Sequence, residues 1–122
     1  MNNELIVANN PKSGVAEAIK TIRTNLLFSS IDEQVKSILM TSSMSGEGKS
    51  FITANLAIAF AQAGVKVLIV DCDLRRGRQH KIFNIDNEQG LSNLLLDDVD
   101  KNYKKYIKKT RYENIYVLPM GI

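Results

Sequence analysis

The sequence predicts an α/β fold, a parallel sheet between two layers of helices, from three consecutive segments. Residues 35–41 form a short apolar run that ends in small polar residues. Residues 49–63 have the composition of a helix buried on nearly every side, and residues 65–70 form a β-branched run. Strand, helix and strand in this order are typical of two parallel strands joined by a right-handed crossover.

Three more elements follow from the spacing of apolar and turn-forming residues. Residues 16–30 carry apolar side chains at helical spacing, and Ser13 stands where it can cap the helix. Residues 90–96 predict a short helix, and residues 114–118 predict a strand that Pro119 stops. Helices and strands therefore alternate along the chain, as they do in α/β domains.

Two segments are expected to be less regular. Residues 1–14 contain a cluster of turn formers and predict an N-terminal arm that becomes ordered only with a partner. Residues 97–111 are rich in Asp and Lys and predict a mostly exposed helix or loop. The predicted organisation is thus an arm over residues 1–14 and one domain over residues 15–122.

Composition argues against several classes of function. The chain has 122 residues and a net charge of +3, too small for wholesale binding of nucleic acid or membrane. No apolar run approaches the length of about 20 residues that a membrane span needs. Cys72 is the only cysteine, so no disulfide forms within the chain and a reducing compartment is expected. We therefore expect a cytoplasmic protein without a membrane span or a nucleic-acid partner.

Residues 43–50, SMSGEGKS, have the character of a phosphate-binding loop between a strand and a helix. Gly46 and Gly48 permit a tight turn whose N–H groups point inward, and the helix N-terminus adds positive potential. Lys49 can bridge the β- and γ-phosphates of a nucleotide, and the Ser50 hydroxyl can ligate Mg²⁺. The sequence therefore predicts a P-loop NTPase-like, three-layer fold that binds ATP with Mg²⁺.

The match is to a relaxed form of the motif, because Ser43 stands where the strict pattern has glycine. A glycine-rich turn with a solvated lysine is one alternative. A dinucleotide-binding loop is another, but Phe51 stands where its third glycine belongs. The residues predicted to contact the nucleotide are Ser43, Gly46, Glu47, Gly48, Lys49, Ser50 and Phe51.

Two aspartates, Asp71 and Asp73, come directly after the second predicted strand. The carboxyl end of that strand should lie beside the phosphate loop, so carboxylates there would face a bound metal. Strands also end in aspartate for reasons of turn formation alone, and solvated loop residues are the alternative interpretation.

Four segments together resemble the bacterial protein-tyrosine kinases of capsular and exopolysaccharide systems: residues 17–26, 41–50, 71–76 and 90–95. The resemblance spans nearly the whole chain and implies a P-loop ATPase fold that transfers phosphate from ATP to tyrosine. It also implies homo-oligomers, a membrane-anchored activator as partner, and recruitment to the inner face of the cell membrane through that partner.

The family's site residues fall on the motifs described above. The resemblance implies that Asp71 assists the tyrosine hydroxyl, while Asp73 and Ser50 hold Mg²⁺. Lys49, Asp71 and Asp73 are therefore the predicted catalytic residues. The lysine that marks the related MinD/ParA-like cell-division and partition ATPases is Met44 here, which favours the kinase branch.

The family's helical E-x-x-R-x-x-R motif, implicated in self-association, corresponds to Glu17, Lys20 and Arg23, with lysine as its middle residue. A spacing of three residues puts these side chains along one flank of a helix, where they can meet a neighbouring subunit. An exposed charged face with no partner is supported equally by the spacing.

Departures from the family keep other functions open. Members continue to a metal-binding aspartate and a C-terminal tyrosine cluster, so we expect residues 15–122 to be an incomplete domain that binds ATP but phosphorylates tyrosine weakly. Ser45 and Gly77 stand where the family commonly has proline. An ATPase switch and a non-catalytic ATP-binding assembly module are the alternatives.

Overall fold

The computed structural model describes residues 5–28, 48–97 and 103–122. The predicted strand over residues 35–41 and most of the phosphate loop lie outside these ranges. The elements in chain order are α1 (Ile6–Asn9), α2 (Gly14–Leu27), α3 (Lys49–Gln62), β1 (Val67–Val70), α4 (Gln79–Ile82), α5 (Leu91–Leu94), a 3-10 helix (Tyr103–Tyr106), β2 (Lys108–Lys109) and β3 (Ile115–Leu118).

The sheet among the described residues has the strand order β1-β3-β2. Strands β1 and β3 are parallel, with Val67 opposite Ile115 and Val70 opposite Leu118. Strand β2 pairs with β3 in the antiparallel direction, so the sheet is mixed. The predicted parallel pairing is confirmed for β1 and β3 and does not extend to this edge.

The prediction of a mostly exposed helix or loop over residues 97–111 agrees with the 3-10 helix, in which only Tyr106 is buried, but is wrong where β2 forms. Thr110 is buried, its hydroxyl donates to the Ile115 carbonyl at 2.9 Å, and it accepts from the Tyr112 N–H at 3.1 Å. These bonds fold the chain back along β3. A two-residue edge strand of lysines has no apolar alternation, so the pattern of the sequence did not indicate it.

The core lies between helices α1 to α3 and one face of the sheet. Ile69, Ile115 and Val117 are buried on that face and share one apolar cluster with residues of all three helices. Leu68 and Val70 point to the opposite face and are 47% and 44% exposed. The buried, largely apolar helix and the parallel pair of strands confirm the predicted α/β fold.

The segment before α2 is folded against α3. Leu5 and Val7 are buried, and the Val7 N–H donates to Oδ1 of buried Asn55 at 3.0 Å. Asn55 in turn donates from Nδ2 to the Phe51 carbonyl at 2.9 Å. The expectation that the arm needs a partner for order is therefore wrong for residues 5–10, while the domain boundary at residue 15 stays a prediction.

The ends of the two long helices agree with their capping signals. The Ala16 N–H donates to Ser13 Oγ at 3.1 Å, which confirms Ser13 as the cap of α2, although this helix ends at Leu27 rather than residue 30. Helix α3 is followed by Gly64, whose φ of 88° is a left-handed conformation that favours glycine. Within the described ranges, no helix is both long and apolar enough to cross a membrane.

Candidate functional site

The first turn of α3 offers main-chain donors to an anion. Gly48 precedes the helix with a φ of 79°, a conformation that glycine adopts without strain, and no side chain caps this end. The N–H groups of the first turn have no partner within the helix, and the helix dipole makes this end positive. An uncapped helix after a left-handed glycine suits phosphate binding.

Four of the residues predicted to contact the nucleotide are described, and all lie at this turn: Gly48, Lys49, Ser50 and Phe51. Lys49 is exposed, whereas Ser50 and Phe51 are partly buried, and Phe51 packs against the core cluster. Ser43, Gly46 and Glu47 lie outside the described residues, and their contacts with phosphate stay predictions.

Asp71 lies at the carboxyl end of β1 and is buried. Its N–H donates to the Leu118 carbonyl at 3.0 Å and so extends the ladder between β1 and β3 by one bond. Its Oδ1 accepts the Asp73 N–H and its Oδ2 accepts the Gln79 N–H, both at 3.2 Å. The carboxylate is thus held in one orientation by two main-chain donors.

Gly77 makes room for this carboxylate. A Cβ at position 77 would lie 2.5 Å from Asp71 Oδ2, 2.8 Å from the Asp73 carbonyl oxygen and 2.8 Å from Met120 Sδ. Any larger residue would displace the loop of residues 71–78, the aspartate loop. The proline that the family resemblance would place here is therefore incompatible with this arrangement of Asp71.

Asp73 is exposed and forms a turn with the residues after it. Its Oδ1 accepts the N–H of Arg76 at 2.9 Å and that of Arg75 at 3.3 Å. The bond from Arg76 is the main cause that lowers the pKa of Asp73. Burial, the second-largest influence, opposes it, and the bond from Arg75 and the charges of Lys49 and Arg76 lower the pKa further. The structure thus brings Lys49 and Asp73 within electrostatic reach of each other.

Gln79 connects the two parts of the site, and sequence reasoning missed it. Its side chain is buried, and Nε2 donates to the Ser50 carbonyl at 3.2 Å. Its N–H holds Asp71, as described above. Gln79 stands in a basic stretch and belongs to no motif, so the only sequence signal was its position shortly after the two aspartates.

His80, the next residue in α4, is partly buried. Burial is the main cause that lowers its pKa, with a further contribution from the charge of Lys81, and Asp71 opposes both. Its Nδ1 is buried and has no hydrogen-bond partner in the part of the chain that the structure describes. The neutral imidazole is therefore the favoured form.

The arrangement fits a magnesium nucleotide. Among residues 5–28, 48–97 and 103–122, no group of three or more His, Cys, Asp or Glu side chains could hold a metal by itself. Mg²⁺ usually takes one or two carboxylates, with waters and phosphate oxygens as its other ligands. Asp73 is exposed and lies within electrostatic reach of Lys49, so its carboxylate is accessible for such a role. That Asp73 and Ser50 hold Mg²⁺ stays a prediction.

The predicted self-association motif does not present one surface. Glu17 is exposed, and Lys20 lies 3.8 Å from its Oε1 and also donates to the Pro11 carbonyl at 3.1 Å. Arg23 instead faces α3, where Nη1 donates to the Ala59 carbonyl at 3.2 Å. The expectation of three side chains on one accessible flank is wrong for Arg23, because it lies on the helix face that packs against α3. A role of the motif in assembly stays a prediction.

Comparison with known families identifies the type of domain. Residues 38–112 match the sequence profile of CbiA, described as the CobQ/CobB/MinD/ParA nucleotide binding domain. This match covers the phosphate-loop region, α3, β1 and the aspartate loop. It confirms the predicted P-loop fold.

Two curated relatives carry the name of a kinase. Tyrosine-protein kinase YwqD of Bacillus subtilis (strain 168) is 48% identical over 121 residues, which is 99% of this chain and 50% of YwqD. Tyrosine-protein kinase etk of Escherichia coli (strain K12) is 35% identical over 102 residues, 82% of this chain and 14% of etk. The chain thus spans about half the length of YwqD and a smaller share of etk.

Two solved structures have the same fold. The chimerical protein CapA2B2 superposes with a TM-score of 0.87 at 47% identity, covering 99% of this chain and 52% of that one. The kinase domain of Escherichia coli tyrosine kinase ETK superposes with a TM-score of 0.84 at 32% identity, covering 96% and 45%. The resemblance to bacterial tyrosine kinases is confirmed, and the chain belongs to the family of CobQ/CobB/MinD/ParA nucleotide-binding domains.

Proposed function

We propose that this chain binds MgATP and provides the phosphate-binding part of a bacterial protein-tyrosine kinase of capsule and exopolysaccharide synthesis. The observation that carries the proposal is the junction at the first turn of α3. There the side-chain amide of Gln79 donates a hydrogen bond to the Ser50 carbonyl, and the main-chain N–H of Gln79 donates one to the Asp71 carboxylate. The charge of Lys49 also lowers the pKa of Asp73. A phosphate-binding turn and two carboxylates at a strand end are the parts that phosphoryl transfer requires.

Each residue has a distinct task in this proposal. The Lys49 ammonium neutralises charge on the transferred phosphate, and the N–H groups of the first turn hold its oxygens. Ser50 and Asp73 would hold Mg²⁺, which supplies further charge neutralisation when bound. Asp71 accepts the proton of the tyrosine hydroxyl, since each carboxylate oxygen can accept a further hydrogen bond besides the one from the main chain.

The proposal includes the setting in which the kinase acts. We place it in the cytoplasm as a homo-oligomer whose contacts use the flank around Glu17 and Lys20, recruited to the membrane by an anchored activator. The resemblance of residues 17–26 to the bacterial tyrosine kinases supports this setting. Sedimentation of the protein with and without the activator's cytoplasmic segment tests it, and a monomer in both samples contradicts it.

Magnesium-dependent binding is the first test. Isothermal titration calorimetry with ATP in magnesium and in EDTA should show that magnesium strengthens binding about tenfold or more, because a charge-assisted contact contributes about 1.5–3 kcal/mol. Asp73→Asn should lose most of this gain. Asp86→Asn is the matched control, since Asp86 is also exposed and accepts a main-chain N–H, from Glu88 at 2.8 Å. Equal magnesium gains in both variants would contradict the role of Asp73.

The acceptor of the phosphate is the second test. Asp71→Asn should lower the rate of phosphotyrosine formation by about 100-fold or more, as loss of a general base does, while ATP affinity changes less than about threefold. Release of inorganic phosphate without phosphotyrosine would support an ATPase switch instead. Binding with neither product would support a non-catalytic ATP-binding module.

A further inference from the structure

Gln79 makes hydrogen bonds to both halves of the candidate site from a buried position. It is 4% exposed, its N–H donates to Asp71 Oδ2 at 3.2 Å, and its Nε2 donates to the Ser50 carbonyl at 3.2 Å. The remaining polar atom, Oε1, is buried without a hydrogen-bond partner among the described residues. One residue therefore joins the aspartate loop to the first turn of α3.

The two bonds act between separate elements. Ser50 is 29 residues away from Gln79, in the first turn of α3, whereas Asp71 is 8 residues away, directly after β1. The Ser50 carbonyl belongs to the same first turn of α3 whose N–H groups are predicted to bind the phosphates. The amide of Gln79 therefore links the predicted phosphate site to the loop that holds Asp71.

Stability alone does not account for a glutamine here. A buried acceptor without a partner is costly, and an apolar side chain of the same length would avoid that cost while losing one neutral hydrogen bond. If position 79 served stability alone, an apolar residue such as methionine would be favoured there. The amide is better explained by the position that it enforces between Ser50 and Asp71.

We propose that Gln79 is a positioning residue that couples occupancy of the phosphate site to the order of the aspartate loop, an inference that rests on the proposed function. It does not contact the reacting atoms. With phosphates on the first turn of α3, the Ser50 carbonyl is held in place, Nε2 of Gln79 stays bonded to it, and the Gln79 N–H keeps Asp71 directed at the acceptor.

Amide hydrogen exchange followed by mass spectrometry tests this coupling without needing turnover. The protein is saturated with ATP in EDTA, so that no metal can bridge Asp73 to the nucleotide. In the parent protein, ATP should slow exchange about tenfold both at residues 48–52 and in the segment 71–78. In Gln79→Met, protection should persist at residues 48–52 and fall below about twofold in the segment 71–78.

Two further variants make the result specific. Gln62→Met changes an exposed glutamine at the other end of α3 and should behave as the parent does. Gln79→Glu keeps the shape but replaces the Nε2 donor by an acceptor, so it should lose the coupling as Gln79→Met does. Thermal unfolding monitored by circular dichroism shows whether Gln79→Met folds. If it does not, Gln79→Glu is the variant that tests the positioning role.

The possible outcomes separate the two proposals. Protection of both regions in folded Gln79→Met or Gln79→Glu would overturn the positioning role while leaving the nucleotide site intact. Absence of ATP protection at residues 48–52 in the parent would overturn the proposed nucleotide site itself, and the positioning role with it. Protection of both regions in the parent, confined to residues 48–52 in the Gln79 variants, would support both.

Discussion

The first and last turns of helix α3 each have a carbonyl that accepts a hydrogen bond from a side chain outside the helix, but the two turns have different roles. At the first turn, Gln79 donates to the Ser50 carbonyl at 3.2 Å, and at the last turn Arg23 donates to the Ala59 carbonyl at the same distance. Gln79 is neutral, so the positive potential of the first turn is left for a ligand. Arg23 brings a cation to the negative end of the helix, where its charge is used within the protein.

This difference shows how α3 can bind a nucleotide at one end and stabilise the fold at the other. The first turn leaves its N–H groups and the exposed Lys49 available to an anion. Without a ligand, these groups contribute little to the free energy of unfolding. The last turn satisfies its carbonyl internally and joins α2 to α3. Substitutions at the first turn should therefore change nucleotide affinity, and substitutions at the last turn should change stability.

The largest expected effect is on binding. Lys49→Ala should weaken MgATP binding at least about tenfold, because a charged hydrogen bond to phosphate contributes about 1.5–3 kcal/mol. The free energy of unfolding should change by less than about 0.5 kcal/mol, as for other exposed positions. Isothermal titration calorimetry and urea unfolding measure the two quantities. Lys12→Ala, at another exposed lysine, is the control, and equal affinity in the two variants would rule out the assignment of the phosphate site.

The opposite pattern is expected at the last turn. Arg23→Met should lower the free energy of unfolding by about 1–2 kcal/mol, since it removes a charged hydrogen bond to the Ala59 carbonyl, with MgATP affinity within about twofold of the parent. Lys20→Met, which removes a mostly solvent-screened pair with Glu17, should cost less than about 1 kcal/mol. A loss of assembly in Arg23→Met at unchanged stability would instead favour an intersubunit role for this arginine.

The smallest effect concerns pH and lies near the first turn. His80 titrates in the folded protein below its ordinary value of 6.5, mainly because it is partly buried. Below that value the unfolded chain takes up a proton that the folded chain does not, so this stabilising contribution is present above pH 6.5 and is lost as the pH falls through the lower folded pKa.

His80→Gln should therefore make the free energy of unfolding less dependent on pH in the acidic range. The change in slope cannot exceed about 1.4 kcal/mol per pH unit, the value for one complete proton. Urea unfolding at a series of pH values measures it, and His80→Gln with the slope of the parent would show that this residue does not cause the dependence.

Several features of the fold and the site could be predicted because their signals are local. The composition of α3 indicated its burial, Ser13 indicated the start of α2, and the β-branched run indicated β1. Gly48, Lys49 and Ser50 indicated the phosphate-binding turn in the same way. Each of these depends on neighbours within a few residues, which is the range over which helical and strand periodicity acts.

Contacts across the fold were decided by the tertiary structure. Asn55 holds the Val7 N–H from 48 residues away, Arg23 holds the Ala59 carbonyl from 36, and Gln79 holds the Ser50 carbonyl from 29. The same polar side chains would be solvated on an isolated segment, so their types do not reveal a partner. Packing α1, α2 and α4 against α3 removes water from these groups, and only then does each buried donor or carbonyl require that particular partner.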